Sequence, residues 1–216
     1  EKLTQEEIDR MMSELTQAPV AASTTISQME SDIIGEVGNI SMSQAATTLS
    51  EILGHKVHIT TPQVFVKSIR EVIDAAVKPK IIISIGFKKG LTGNNLLLMD
   101  AQDSVIIANL MMGGDGQVTS SELTELELSA VGEAMNQMMG SSATAMATML
   151  GKMIDILPPE VHLVDDKEHF NVDIGVDNLN ADVCLIAFQL EVEGILQSEI
   201  MQVFTMDAVK EITEIM

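Results

Sequence analysis

Two hydrophobic rhythms run along this chain, and they follow one another in the same order twice. Between Ser27 and Leu53, apolar side chains return every three or four positions, the spacing of a helix with one buried stripe. Ser27-x-x-Glu30 carries a capping box for its start and Gly54 supplies a stop, which predicts a helix ending at Leu53. On it, Ile33, Ile34, Val37 and Ile40 are expected to face a sheet. From Val57 to Val66 the rhythm shortens to alternation in β-branched residues, a strand, and Ile81–Phe87 is a second one. Turn chemistry from Gly90 to Asn95 leads into Leu96–Met99, the return arm of a hairpin. Asp100–Met112 reads as a short helix closed by Gly113-Gly114-Asp115-Gly116.

The second half copies the first. Thr124-x-x-Glu127 caps a helix that ends near Leu150-Gly151, strands fit Val161–Val164, Phe170–Val176, Val183–Leu190 and Ile200–Phe204, and a last helix begins at Asp207. The junction Met99-Asp100-Ala101 recurs as Met206-Asp207-Ala208, about ten residues later than the opening helices predict, which places an insertion around Asp165–Asn180. Two copies of helix–strand–hairpin–helix predict an α/β (α+β) unit with pseudo-twofold symmetry, its two long helices packed on a shared, largely antiparallel sheet. Repeat one spans residues 27–116 and repeat two 119–216 of a unit covering 27–216.

Within the repeat a polar pattern is held in register. Asp32-x3-Glu36-x2-Asn39 followed by Pro62 recurs as Ser129-x3-Glu133-x2-Asn136 followed by Pro159, every member displaced by 97 positions. Core packing conserves apolar character and has no need of an acid and an amide, so a duplicated acid–amide pair reads as a duplicated site. Positions i, i+4 and i+7 share one helix face, which makes each triplet a polar stripe. One copy alone would read as a solvated face. Gly35 and Gly132, one residue before each acid, cost helix propensity of up to ~1 kcal/mol, and close approach of another backbone, such as a docked partner's, is the expected reason.

Composition narrows the classes. Apolar residues make up 46% of the 216, with no Trp or Tyr, 5 Phe and 16 Met, so a folded chain must fill much of its core with Met, Ile, Leu and Val. A formal charge of −20 argues against nucleic acid as a partner. Seven of the twelve basic residues fall between Lys56 and Lys89, a face that could attract an acidic protein surface. The single Cys184 excludes an internal disulfide and suits a reducing cytoplasm, and no apolar run approaches the ~20 residues that cross a bilayer.

Glu36 with Asn39, and Glu133 with Asn136, lack the His, Cys or oxygen clusters of a metal site and the paired base of a covalent nucleophile. An amide can still hydrogen-bond a water and aim it for in-line attack, as a glutamine does in GTP hydrolysis. The electrophile and its metal would then arrive with the substrate, and the carboxylate would hold the substrate's cation.

Asp/Ser-x3-Glu-x2-Asn-x22-Pro, matched at every position in both copies, resembles the signature of the CheC/CheX/FliY phosphatases of bacterial chemotaxis. The resemblance implies a hydrolase acting on the aspartyl phosphate of the response regulator CheY, which brings its own Mg2+, with no cofactor bound by this chain. Asn39 and Asn136 would position the attacking water, Glu36 and Glu133 would pair with a regulator lysine, and Asp32, Pro62, Ser129 and Pro159 would support the motif. The segment Leu3–Met12, with a Thr4–Glu7 capping box and the apolar residues Leu3, Ile8, Met11 and Met12, predicts a short amphipathic helix. It resembles the CheY-docking peptide of FliM and FliY, implying partner contacts at Leu3, Gln5, Glu6, Ile8, Asp9 and Met12. Residues 1–16 would be that peptide and 17–26, with Ala18–Thr25, a flexible tether. CheC-type chains lack the peptide, which puts this chain on the FliY side. FliY-type chains continue into a FliN-like domain, expected to be missing here. The resemblance also implies a cytoplasmic place at the flagellar basal body, beside FliM, FliG and FliN-like proteins, without membrane insertion. The rival readings are a non-catalytic switch scaffold, as in FliM, and a module that only binds CheY.

Overall fold

The computed structural model describes residues 25–118, 120, 123–164 and 178–216. In chain order they form α1 (Gln28–Leu53), β1 (Val57–Ile59), β2 (Gln63–Ser68), α2 (Ile69–Ala75), β3 (Lys80–Lys89), β4 (Asn94–Asp100) and α3 (Ala101–Met111). The order then repeats as α4 (Glu125–Leu150), β5 (Asp155–Ile156), β6 (Glu160–Val164), β7 (Asp182–Val192), β8 (Leu196–Thr205) and α5 (Met206–Ile215). The strand expected over Phe170–Val176 lies outside the described residues, as do the peptide at 1–16 and most of the tether.

Local chemistry sets the helix ends. At α1, Ser27 N donates to Glu30 Oε2 at 2.7 Å while Glu30 N donates to Ser27 Oγ at 3.2 Å. Thr124 and Glu127 make the same reciprocal box at α4. Gly54 (φ 65°) and Gly151 (φ 59°) turn each chain out of its helix in the left-handed region, where a Cβ is strained. A third box, Ser68 with Glu71, opens α2, a helix the sequence reading passed over.

The nine buried positions of α1, from Ile34 to Leu53, recur 97 residues later as the nine buried positions of α4, from Val131 to Leu150. The two helices meet at equivalent points: Ser141 Oγ donates to the Gln44 carbonyl at 3.3 Å, and Thr48 Oγ1 to Ser141 Oγ at 2.7 Å. Beneath them lies a sheet that, among the described residues, has eight strands and only antiparallel pairings. Ile81, Ile83 and Ile85 of β3 and Ile186, Phe188 and Leu190 of β7 face the long helices, whereas Ile82 and Leu185 face the other side, where Ile69 and Ile73 of α2 cover them. Both faces being covered, β3 and β7 are apolar runs with little alternation.

The sheet is wound across the two halves. The strand after each long helix pairs with the hairpin of the other repeat: β1 and β2 lie along β7, and β5 and β6 along β3, while β4 and β8 join at the centre. The single strand expected over Val57–Val66 is also broken. Ile59 pairs with Leu190 and Gln63 with Ala187, so four steps oppose three and one residue is extra. Ile156 opposite Phe87 and Glu160 opposite Ser84 repeat the bulge. Part of the extra length of the second half sits in its hairpin, where β7 and β8 share ten paired positions against seven for β3 and β4, rather than all around 165–180. On β8, opposite Leu97 and Ile186, Gln202 is fully buried with neither amide atom hydrogen-bonded among the described residues.

Candidate active site

The bulges explain the prolines. Proline has no N–H to give a ladder and belongs at a break in a strand. Pro62 occupies the gap between β1 and β2, and Pro159 the gap between β5 and β6. The break holds the strand against the start of the helix. A Cβ placed on Gly35 would lie 3.4 Å from Val64 Cγ2, and one on Gly132 3.4 Å from Val161 Cγ2. The neighbour that these glycines face is thus a valine side chain of the chain's own strand at ordinary contact distance, where close approach of another backbone, such as a docked partner's, was expected.

A groove of about 300 Å³ results, with Asp32, Glu36 and Asn39 on its helical wall and Thr61, Pro62 and Val64 on the other. Asp32 and Glu36 are exposed and Asn39 is half-buried; Ser129, Glu133 and Asn136 show the same sequence of exposures in the second repeat. Thr61 was not singled out from the sequence; its place directly before Pro62 is the signal that could have found it. Asp32 Oδ1 accepts from Gln28 Nε2 at 2.8 Å. In the second site the bond falls on the other acid: Glu133 Oε1 accepts from Gln137 Nε2 at 2.7 Å. Glu36 and the side chains of Asn39 and Asn136 have no hydrogen-bond or ion-pair partner among the described residues. A free carboxylate one turn from a free amide, both open to solvent, can take a cation and orient a water.

Ile40 departs from expectation. Ile34 and Val37 are fully buried, but Ile40 is 39% exposed. Four residues on from Glu36, it stands on the polar stripe's own face, whatever its hydrophobicity. The α1–α4 contacts run antiparallel, since Gln44 meets Ser141 while Ile40 shares a groove with Thr148 and Met149. Asn39 and Asn136 each precede the crossing by five residues, which sets them about 15 Å apart along the helix direction at 1.5 Å per residue.

Other candidates fall away from this face. Cys184 is buried and desolvation pushes its thiol up to about 12, which leaves it inert as a nucleophile at neutral pH. Three members of the basic run, Lys67, Lys78 and Lys80, line a separate cavity of about 470 Å³ on the opposite sheet face, between α2 and β8. There Lys80 Nζ is 2.6 Å from Asp100 Oδ1, so that lysine's charge is met within the chain. Among the described residues no cluster of three or more His, Cys, Asp or Glu could hold a metal ion, and no helix is long and apolar enough to cross a membrane. The partner contacts inferred at Leu3, Gln5, Glu6, Ile8, Asp9 and Met12 lie outside the described residues.

Comparison with known proteins gives the arrangement relatives. The CheC-like family matches residues 29–66 and again residues 126–163. The flagellar motor switch phosphatase FliY of Bacillus subtilis is 42% identical over 98% of this chain, and the chain spans 56% of that protein's length. The CheY-P phosphatase CheC of the same organism is 28% identical over 64% of this chain and 68% of its own. The crystal structure of Thermotoga maritima FliY superposes with a TM-score of 0.82 at 42% identity, covering 89% of this chain and 98% of that one.

Proposed function

This chain belongs to the CheC-like family, and on that premise we propose that it hydrolyses the aspartyl phosphate of CheY at two sites. The observation that carries the reading is the doubled pair itself: Asn39 and Asn136 on helix faces, their amides unengaged among the described residues, each one turn from an acid. The amide holds a water in line with the phosphorus. The water oxygen bonds to phosphorus as the bond to the regulator's aspartate breaks; the carboxylate leaves with that electron pair, and the water's proton passes to the phosphate oxygens or solvent. Glu36 and Glu133 pair with a lysine beside the phosphoryl group, which fixes the attack geometry. The Mg2+ comes with the phosphorylated regulator, and this chain supplies no cofactor.

In this reading residues 1–16 capture CheY, 17–26 tether it, and 27–216 perform the hydrolysis. The relative's printed name, a motor switch phosphatase, supports a place at the cytoplasmic face of the flagellar switch, where FliM, FliG and FliN-like proteins would be neighbours. The test is phosphate release from CheY charged with acetyl phosphate in the presence of Mg2+ and the full chain. Release faster than CheY's spontaneous decay is expected; native chain that adds nothing to that decay would sink the reading.

A further inference from the structure

The two sites are related by symmetry, but the surface beside them is not. Next to the first site a second groove, of about 400 Å³, opens where α4 passes α1, and Ile40 stands at the end nearer Asn39. Its other lining residues are Gln44, Ser141, Thr144, Ala145, Thr148 and Met149. Thr144 Oγ1 donates to the Gly140 carbonyl at 3.0 Å and Thr148 Oγ1 to the Thr144 carbonyl at 3.0 Å. With both hydroxyls bonded back to their own helix, the threonines spend their donors internally, and most of the groove's exposed lining is apolar despite its composition.

The same positions beside the second site read differently. Ile40 becomes Gln137, Thr148 answers to Glu51, and Met149 to Ile52, with Gln137 and Glu51 both exposed. Gln137 is also the residue that engages Glu133, whereas Ile40 makes no such claim on Glu36. The first site thus joins a free carboxylate to an apolar shelf. The second joins an occupied carboxylate to a polar, acidic one.

We propose that the groove between Ile40 and Met149 is a second contact for the phosphorylated regulator, receiving an apolar side chain that the regulator carries beside its phosphorylated aspartate, and that this makes the first site the tighter of the two. The occupant follows from continuity. Ile40 is adjacent to Asn39 and one turn beyond Glu36, so a protein whose phosphoryl group reaches Asn39 must also cover Ile40. An apolar contact at the centre of such a footprint contributes affinity that a rim charge does not. It also excludes water from the neighbouring ion pair to Glu36, which strengthens that pair. The inference rests on the phosphatase reading above.

The test uses full chains with one site disabled. In an Asn136→Ala background, where only the first site works, Ile40→Gln should raise KM for CheY-phosphate about tenfold while kcat holds. Binding of CheY carrying beryllofluoride, measured by calorimetry, should weaken in parallel. In an Asn39→Ala background the reverse transplant, Gln137→Ile with Glu51→Thr, should lower KM at the second site; both positions are exposed, so a melting curve like the parent's is expected. KM unchanged by Ile40→Gln, or equal KM in the two single-site parents, overturns the inference and leaves the phosphatase reading standing. Native chain without any hydrolysis removes both.

Discussion

Alanine at Asn39 and at Asn136 would separate the two sites kinetically. Each asparagine is half-buried, with no side-chain partner among the described residues, so truncation should move stability by no more than about 0.5 kcal/mol. The chemical loss is larger: removing one oriented hydrogen-bonding group from a transition state costs about 10²–10³ in kcat, or about 2.7–4 kcal/mol. Two sites working in parallel add their rates, so either single substitution removes only that site's share. The double substitution should show the full loss of about 100- to 1000-fold. With Ile40 favouring the first site, Asn39→Ala should remove the larger share at low substrate. The assay is phosphate release from CheY-phosphate, corrected for spontaneous decay, beside a melting curve for each variant. A folded double variant keeping more than about a tenth of native activity would refute water positioning by these amides. A single variant as inactive as the double would refute independence of the sites.

Deleting residues 1–20 should raise KM for CheY-phosphate and leave kcat alone, because a tethered docking segment adds local concentration and no catalytic group; an unchanged KM would show that the segment has no such role. Gln202→Met should stabilise the fold by about 1–3 kcal/mol, since a fully buried amide without partners among the described residues is traded for a side chain of similar size; chemical denaturation showing a loss would mean the amide is satisfied in solution. The capping carboxyls give a pH signature. Glu30 and Glu71 are held below the ordinary carboxylate value chiefly by the backbone N–H of Ser27 and Ser68, and Glu127 chiefly by the Thr124 hydroxyl. A lowered folded pKa stabilises above the unfolded value of about 4.3 and stops doing so as pH falls through the lowered one. Changing all three to Gln should therefore lower the melting temperature at neutral pH and make little difference in acid below those values. A gap of equal size at both would contradict the linkage.

The helices were legible because their ends are chemical. A capping box and a terminal glycine placed α1 and α4 to within a residue, and the same signal at Ser68 and Glu71 was there to be read for α2. The duplicated stripe was legible because an acid and an amide in register serve no packing purpose. What the sequence could not reveal was partnership. Strand pattern says that Val57–Val66 is extended, but not that β7 rather than β3 receives it, since both hairpins present similar apolar runs. The bulge at Pro62 was hidden for a related reason: its extra residue is visible only against the opposing strand. Ile40 was misplaced because hydrophobicity was allowed to outvote helical phase. The unequal hold on Glu36 and Glu133 depends on Gln137, a residue that only the geometry singles out.

Because each repeat lends its first strand to the other's hairpin, the chain has no half that can close on itself. As synthesis proceeds, β3 emerges with one edge bare, and the strands that cover it, β5 and β6, are not made until residue 164. Until then an apolar strand stands open to any chain able to extend it, the situation in which intermolecular pairing begins. Folding must wait for contacts about 80 residues apart in sequence, such as Ile82 with His162, and contacts of that span slow the search for the native state. The two sites therefore mature in the reverse of chain order: the strand at Pro159 can seat on β3 once residue 164 is made, whereas the strand at Pro62 must wait for β7, which is complete only at Val192.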